Sequence, residues 1–323
     1  MSVYNKNRFR KKTSGSRVAA LVVTILILVA CAGYFLFSPS KKIIESAHKA
    51  EPALVKPVLP ALSSLPHTTV SPIVPPLPRK EKNNYPSETT LPENEEPDHG
   101  GGSPARLAII IDDMGSSMSE ARSLSAIKVP LTFAIIPGLR ADKDVAAFAA
   151  THKIETMIHI PMQSQGWPTR HLETNGLLVA MEAGELEERV SGFVQNFPGA
   201  VGANNHMGSE FTEHEDKMTS VLQVLKKNNL FFIDSVTSPA STGLKVAQRH
   251  GIRSARRNVF LDNELERGYI LGQLNQAVRL AKKNGSAIAI CHPHPATISA
   301  LTAALPGLAG KRVVLVPASQ LVK

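Results

Sequence analysis

The last 219 residues of this 323-residue chain predict an α/β fold on a parallel sheet, either a (β/α) barrel or a doubly wound sheet. Three observations point there. Short apolar runs alternate with amphipathic segments from Ala105 onward. About seven or eight such runs alternate with helical stretches, which implies parallel βα units. Acids and histidines recur just after successive runs, where parallel α/β folds place their sites.

The runs, in order, are residues 106–111, 130–136, 156–160, 200–203, 230–233, 259–261, 286–290 and 312–316. Helical stretches lie between them at 119–126, 142–152, 182–197, 213–228, 243–250 and 266–284. In 182–197, Leu186, Val190, Phe193, Val194 and Phe197 recur at three-to-four spacing, the signature of one buried helix face. Some seven or eight strands therefore alternate with helices.

The first hundred residues read differently. Residues 1–17 carry Lys6, Arg8, Arg10, Lys11, Lys12 and Arg17 and no acid. Residues 18–37 hold no charge, and a helix of that length rises about 30 Å, the thickness of a bilayer's hydrocarbon core. The cations predict a cytoplasmic tail, and the apolar stretch predicts a signal anchor. Leu28-Val29-Ala30-Cys31 offers a lipoprotein alternative and Ala30-Cys31-Ala32 a signal-peptidase one, but the apolar run continues through Tyr34, Phe35, Leu36 and Phe37. Residues 38–104 hold 13 of the 23 prolines and predict a disordered linker, because such a composition buries too little apolar surface to offset its ordering entropy. The domain proper is then 105–323.

Composition narrows the function. Hydrophobic residues at 43% and charged residues at 20% exclude a wholly disordered or fibrous chain. Two cysteines exclude a disulfide framework and a Cys-rich zinc module. The net charge of +9 sits largely in the first 17 residues, and no basic stripe carries interleaved aromatics, so nucleic acid is not an expected partner.

Asp112 and Asp113 follow the first run, His159 stands near the end of the third, and Asn205 and His206 follow the fourth. Asp234 follows the fifth, Asp262 the sixth, and His292 and His294 the seventh. Each has an ordinary structural reading as cap, turn or core residue. Together, at one rim, they suit a divalent transition metal. His152, His171, His214 and His250 read as solvated, and Cys291 as a small buried hydrophobe.

The ordered phrases I-I-I-D-D-M-G, I-H-I-P-M, N-N-H-M-G-S, F-F-I-D-S, F-L-D-N and C-H-P-H-P resemble the divergent polysaccharide deacetylase (YibQ-like) family, a distant branch of the NodB-homology carbohydrate esterases. The resemblance runs from about Leu107 to Val322. It implies a distorted (β/α) barrel of about seven parallel strands and a hydrolase that deacetylates an envelope polysaccharide. It further implies Asp112 as general base, Asp113 and His159 as ligands of one divalent metal, zinc foremost, and His292 as general acid. The family's H-x-x-x-H pair is broken here, because Gln163 stands at the second position. An amide oxygen is a weak zinc ligand, and His206 is the replacement from the neighbouring strand end. Asp262 falls where the parent family has an acid tuning the general acid. Asp234, Asn205 and His294 are expected to support the ligands or touch substrate.

Two other classes fit some of these features. A periplasmic carbohydrate-binding or scaffold protein could keep the fold without catalysis, consistent with Gln163. A phosphohydrolase would use Asp clusters for Mg²⁺, which prefers oxygen to imidazole. The topology is open to direct test. A reporter fused after Lys323 is expected to be active only when exported, whereas a cytoplasm-only signal would contradict the anchor, and a mature N-terminus at Cys31 would mark a lipoprotein.

Overall fold

The computed structural model describes residues 103–323. The basic tail, the anchor and all but the last two residues of the linker lie outside the described residues. Among the described residues no helix is long and apolar enough to cross a membrane.

The chain runs β1 (Ala105–Met114), α1 (Met118–Ser125), β2 (Thr132–Ile135), α2 (Asp142–Thr151), β3 (Glu155–Met162), α3 (Ala183–Asn196), β4 (Gly202–Met207) and α4 (Glu215–Lys227). It continues β5 (Phe231–Asp234), α5 (Gly243–Arg249), β6 (Ser254–Arg256), β7 (Val259–Phe260), α6 (Arg267–Asn284), β8 (Ser286–Cys291), α7 (Pro295–Ala304) and β9 (Val313–Leu315). The strands form one sheet in the order β6-β5-β4-β3-β2-β1-β8-β7, and every ladder is parallel. On the edge of β1 away from β8, β9 pairs with Ala105–Leu107 and β2 with the later residues, so two short strands share one side of a long one.

Alternation along the strands divides the core in two. Leu107, Ile109 and Ile111 of β1 face the helices, together with Ile158 and Ile160 of β3 and Ala287 and Ala289 of β8. Ala108 and Ile110 face the other way and meet Ala134, Met157, Phe231, Ile233, Ile288 and Ile290 in a second cluster. Side chains from five strands can share one inner cluster only if the sheet curls around it. The curl does not close: β6 and β7 end the ladder, and no ladder joins them among the described residues. The C-terminal segment plugs the end of this column where the strands begin. Val316, Ala318 and Leu321 join the inner cluster. Ala318 N–H donates to Thr132 Oγ1, Ser319 N–H to Glu155 Oε1, and Ser254 and Lys323 exchange backbone bonds.

The eight apolar runs all carry strands, but the sheet has nine rather than about seven. β6 reads Ser-Ala-Arg and has no apolar run to announce it. Helix α7 lies beyond the predicted helical stretches; its N-cap is His294, with Pro295 at its first position, so the C-H-P-H-P phrase is a strand end flowing into a helix.

Phe231 is fully buried in the inner cluster, and its ring lies so close to Gly202 on β4 that a Cβ there would overlap it. Replacing Phe231 by Ala is expected to lower unfolding free energy by about 3–5 kcal/mol in urea denaturation, because the rigid column cannot collapse into the void.

Candidate metal centre and active site

The candidate site is the polar continuation of the inner column. On β1 the inward series runs Ala108, Ile110, Asp112; on β3, Met157, His159; beside β8, Ile288, Ile290, His292. In the β3–β4 ladder, His159 stands opposite Asn204 and Pro161 opposite His206, so Asn204 and His206 share the inward face. Asp113 breaks the alternation. Its φ is 56°, and the β1–β2 register shifts between Ile111 and Met114. This bulge turns a second, adjacent carboxylate to the same side.

Asp113 Oδ1 lies 2.8 Å from His206 Nδ1 and 3.2 Å from His159 Nε2. The two imidazole nitrogens are 3.2 Å apart. Asp112 Oδ2 is 3.6 Å from His159 Nε2. Asp113 Oδ2 is 3.7 Å from His292 Nε2. His292 is held from behind, its Nδ1 lying 3.2 Å from Asp262 Oδ1 and its backbone N–H donating to Asp262 Oδ2 at 2.8 Å. Thr297 Oγ1 also donates to Asp262 Oδ2. Asn204 links the parts: its Oδ1 accepts from His159 Nδ1 at 2.7 Å, and its Nδ2 donates to Asp112 Oδ1 at 2.8 Å. The bond to Asn204 places a proton on Nδ1 and leaves Nε2 of neutral His159 facing Asp113 with its lone pair.

The charges are strongly coupled. Burial pushes the Asp112 carboxyl up, against the opposing pull of His159, His292 and the Asn204 bond. Burial would also raise Asp113, but the His159 and His206 imidazoles hold it well below the usual carboxylate range. For His159, burial favours the neutral ring, yet Asp112 and Asp113 outweigh it and raise its pKa. His292 follows the same pattern: burial opposes protonation, but the Asp262 bond and the charges of Asp113 and Asp112 push it up to about 9.

A divalent cation fits this donor set. Asp113 Oδ1 is buried without a hydrogen-bond partner, despite its short approaches to two ring nitrogens. An orphaned anion facing two imidazole nitrogens is an arrangement that a cation resolves. One carboxylate oxygen and two imidazole nitrogens would hold it, and binding would displace the proton that His159 otherwise retains.

Other expected residues sit elsewhere or act differently. Gln163 is not in the cluster; its Oε1 accepts from Val179 N–H and its backbone N–H donates to Leu177 O, so it clasps the loop after β3. Asp234 accepts from Val236 N–H, Ser241 Oγ and Leu244 N–H, and so serves the loop leading into α5 instead of the ligands. Asn205 accepts from Ser235 N–H and donates to Met207 O and Thr237 Oγ1. Its bonds brace Met207 and the strand end, while the residue touching His159 is its neighbour Asn204. His294 is exposed at the cap of α7, though near enough to His292 and Asp262 to group with them. Three rim residues without the freedom of glycine, Asp113, Met207 and Val236, have φ of 56°, 50° and 51°. At Met207 and Val236 the side-chain bonds of Asn205, Thr237, Asp234 and Arg257 fix this strained backbone. Glu173, which follows no apolar run and carries no strand-end signal, brings its Oε2 to 3.7 Å from His206 Nε2.

Residues 109–322 match a family described as divergent polysaccharide deacetylase. The chain is 38% identical over 196 residues to the uncharacterized protein YibQ of Escherichia coli, a match covering 61% of each chain. It is 36% identical over 204 residues to an uncharacterized protein of Haemophilus influenzae, covering 63% of this chain and 72% of that one. Among solved structures, an uncharacterized protein of Agrobacterium tumefaciens superposes with a TM-score of 0.64 at 22% identity, covering 69% of this chain and 91% of that one, which establishes a shared fold.

The His292–Asp262 pair makes a titration testable. A raised pKa means that the imidazolium persists through neutrality and is lost only as pH rises through about 9. In chelator-treated protein, NMR titration of His292 is expected to show that value. Asp262→Asn is expected to lower it by about one unit or more, because the remaining charges act from farther away.

Proposed function

Since the chain belongs to the divergent polysaccharide deacetylase family, we propose that it is a metal-dependent hydrolase that removes acetyl groups from an envelope polysaccharide. In this reading residues 18–37 hold it in the inner membrane and residues 38–323 lie on the periplasmic side, an arrangement supported by the cations before the apolar stretch.

The observation that carries the reading is the convergence of Asp113 Oδ1, His159 Nε2 and His206 Nδ1, with His292 facing the other oxygen of Asp113. Asp113, His159 and His206 would hold the metal, zinc by ligand type. When bound, it supplies Lewis acidity toward the acetyl carbonyl and lowers the pKa of water. Asp112 is the base. Burial makes its carboxylate a better proton acceptor than a solvated one, and the Asn204 bond to Oδ1 fixes its orientation. His292 is the acid, protonated at neutral pH and held by Asp262 so that Nε2 faces the cluster. Water adds to the acetyl carbonyl as Asp112 takes its proton. The C–N or ester bond then breaks, acetate departs, and the sugar amine or alkoxide takes the proton of His292. The non-catalytic alternative rests on Gln163, and His206 stands where a second imidazole is needed.

The test is acetate release from acetylated envelope glycans by the zinc-loaded full-length protein, together with elemental analysis. Asp113→Ala and His159→Ala are expected to lose both metal and activity while remaining folded. Asp112→Asn is expected to keep the metal and lose activity by about 10²–10⁴-fold, the usual contribution of a general base. Full metal occupancy without acetate release from any N- or O-acetylated glycan would favour a binding or scaffold role instead.

A further inference from the structure

Glu173 lies in the long segment between β3 and α3, and that segment is fixed. Leu177 N–H donates to Pro161 O, Gln163 N–H to Leu177 O, and Val179 N–H to Gln163 Oε1. Asn175 Nδ2 donates to Pro137 O beyond β2, and Gln165 is tied to Ser209 and Glu213 beyond β4. Leu172 and Leu177 are buried on either side of Glu173, and Gly176 N–H closes a turn onto its carbonyl. The loop is therefore anchored to the rims of three strands, and it carries Glu173 to the outer side of His206.

There, Glu173 Oε2 is buried without a hydrogen-bond partner, which for a carboxylate oxygen is costly unless a donor or cation answers it. The group it faces is His206 Nε2 at 3.7 Å, slightly beyond hydrogen-bond length. The opposite nitrogen of the same ring, Nδ1, is the one beside Asp113 Oδ1 and His159 Nε2. His159 is oriented on its far side by Asn204, and His292 on its far side by Asp262. Among the described residues no side chain on its own or the adjoining strands plays that part for His206; the loop carboxylate occupies that place.

We infer that Glu173 is the positioning residue of His206. It accepts the Nε2–H of His206, fixes that tautomer, and keeps the Nδ1 lone pair turned toward a metal held with Asp113 and His159. This rests on the metal reading above. A ligating imidazole whose other N–H meets a carboxylate is better oriented and more basic, and loss of such a partner weakens metal affinity by about 10–100-fold.

The experiment is zinc affinity of the full-length protein, measured by competition with a chromophoric chelator and independent of any substrate. Glu173→Ala is expected to weaken zinc binding about 10–100-fold, with little change in the thermal midpoint of the metal-free protein. Glu173→Gln keeps an acceptor oxygen at similar reach and is expected to recover most of the affinity. In the zinc-loaded wild type, nitrogen NMR is expected to show His206 protonated at Nε2 and coordinated through Nδ1. Wild-type zinc affinity in both variants, or coordination through Nε2, would overturn the role of Glu173 while leaving the metal site standing. If the wild-type protein binds no zinc, the metal reading fails and this role fails with it.

Discussion

Where the inner column of β1 leaves the apolar core, the chain places two consecutive carboxylates. Asp112 is 3% exposed, and an isolated ionised carboxylate at that depth would be untenable without hydrogen bonds or opposite charge. The surrounding site answers this constraint. Asn204 donates to Asp112 and accepts from His159, so one amide serves an anion and an imidazole at once. His159 stands within reach of both carboxylates, and His206 and His292 each meet one oxygen of Asp113. Removing one member leaves another buried charge without its counterpart, and for this reason the perturbed groups lie next to one another.

Strand alternation explains how so much polarity fits above an apolar column. The same period of two that points Ile110 inward points Asp112 inward, and the same holds for Met157 with His159 and Ile290 with His292. The one exception, Asp113, needs a backbone irregularity to join them. The two ends of the column thus have opposite duties. At the start of the strands, the C-terminal segment seals it with Val316, Ala318 and Leu321. At the other end it opens into the charged cluster, beside the loop carrying Gln163 and Glu173.

This division also explains what the sequence made legible. Apolar runs announce strands, and acids or histidines just beyond them announce the rim, so the parallel fold and the positions of Asp112, Asp113, His159, His206, Asp262 and His292 could be read in advance. Register could not. Asn204 and Asn205 are adjacent and chemically identical, and only the pairing of His159 with Asn204 decides which one touches the imidazole. Asp234 occupies the same kind of strand-end position as Asp262, yet its oxygens are taken by the backbone and hydroxyl of the following loop. Glu173 lies ten or more residues past a strand end, where no periodicity operates, and it reaches His206 only through the fold of the loop. β6 leaves no mark in the sequence because its pairing depends on backbone bonds to β5 and to Lys323, with little apolar burial of its own.

His159 and His206 belong to one ladder, two pairing steps apart, on strands whose neighbouring hydrogen bonds hold them in fixed lateral spacing. Their ring separation is therefore set by the pitch of the sheet. A pair of ligands a few residues apart on a loop can splay when empty and must be gathered again by each arriving ion. A pair carried on adjacent strands stays at nearly the same spacing whether or not anything lies between them. The reorganisation that accompanies capture of a cation is then confined to protons and side-chain torsions, and the backbone of the centre behaves as a rigid jig.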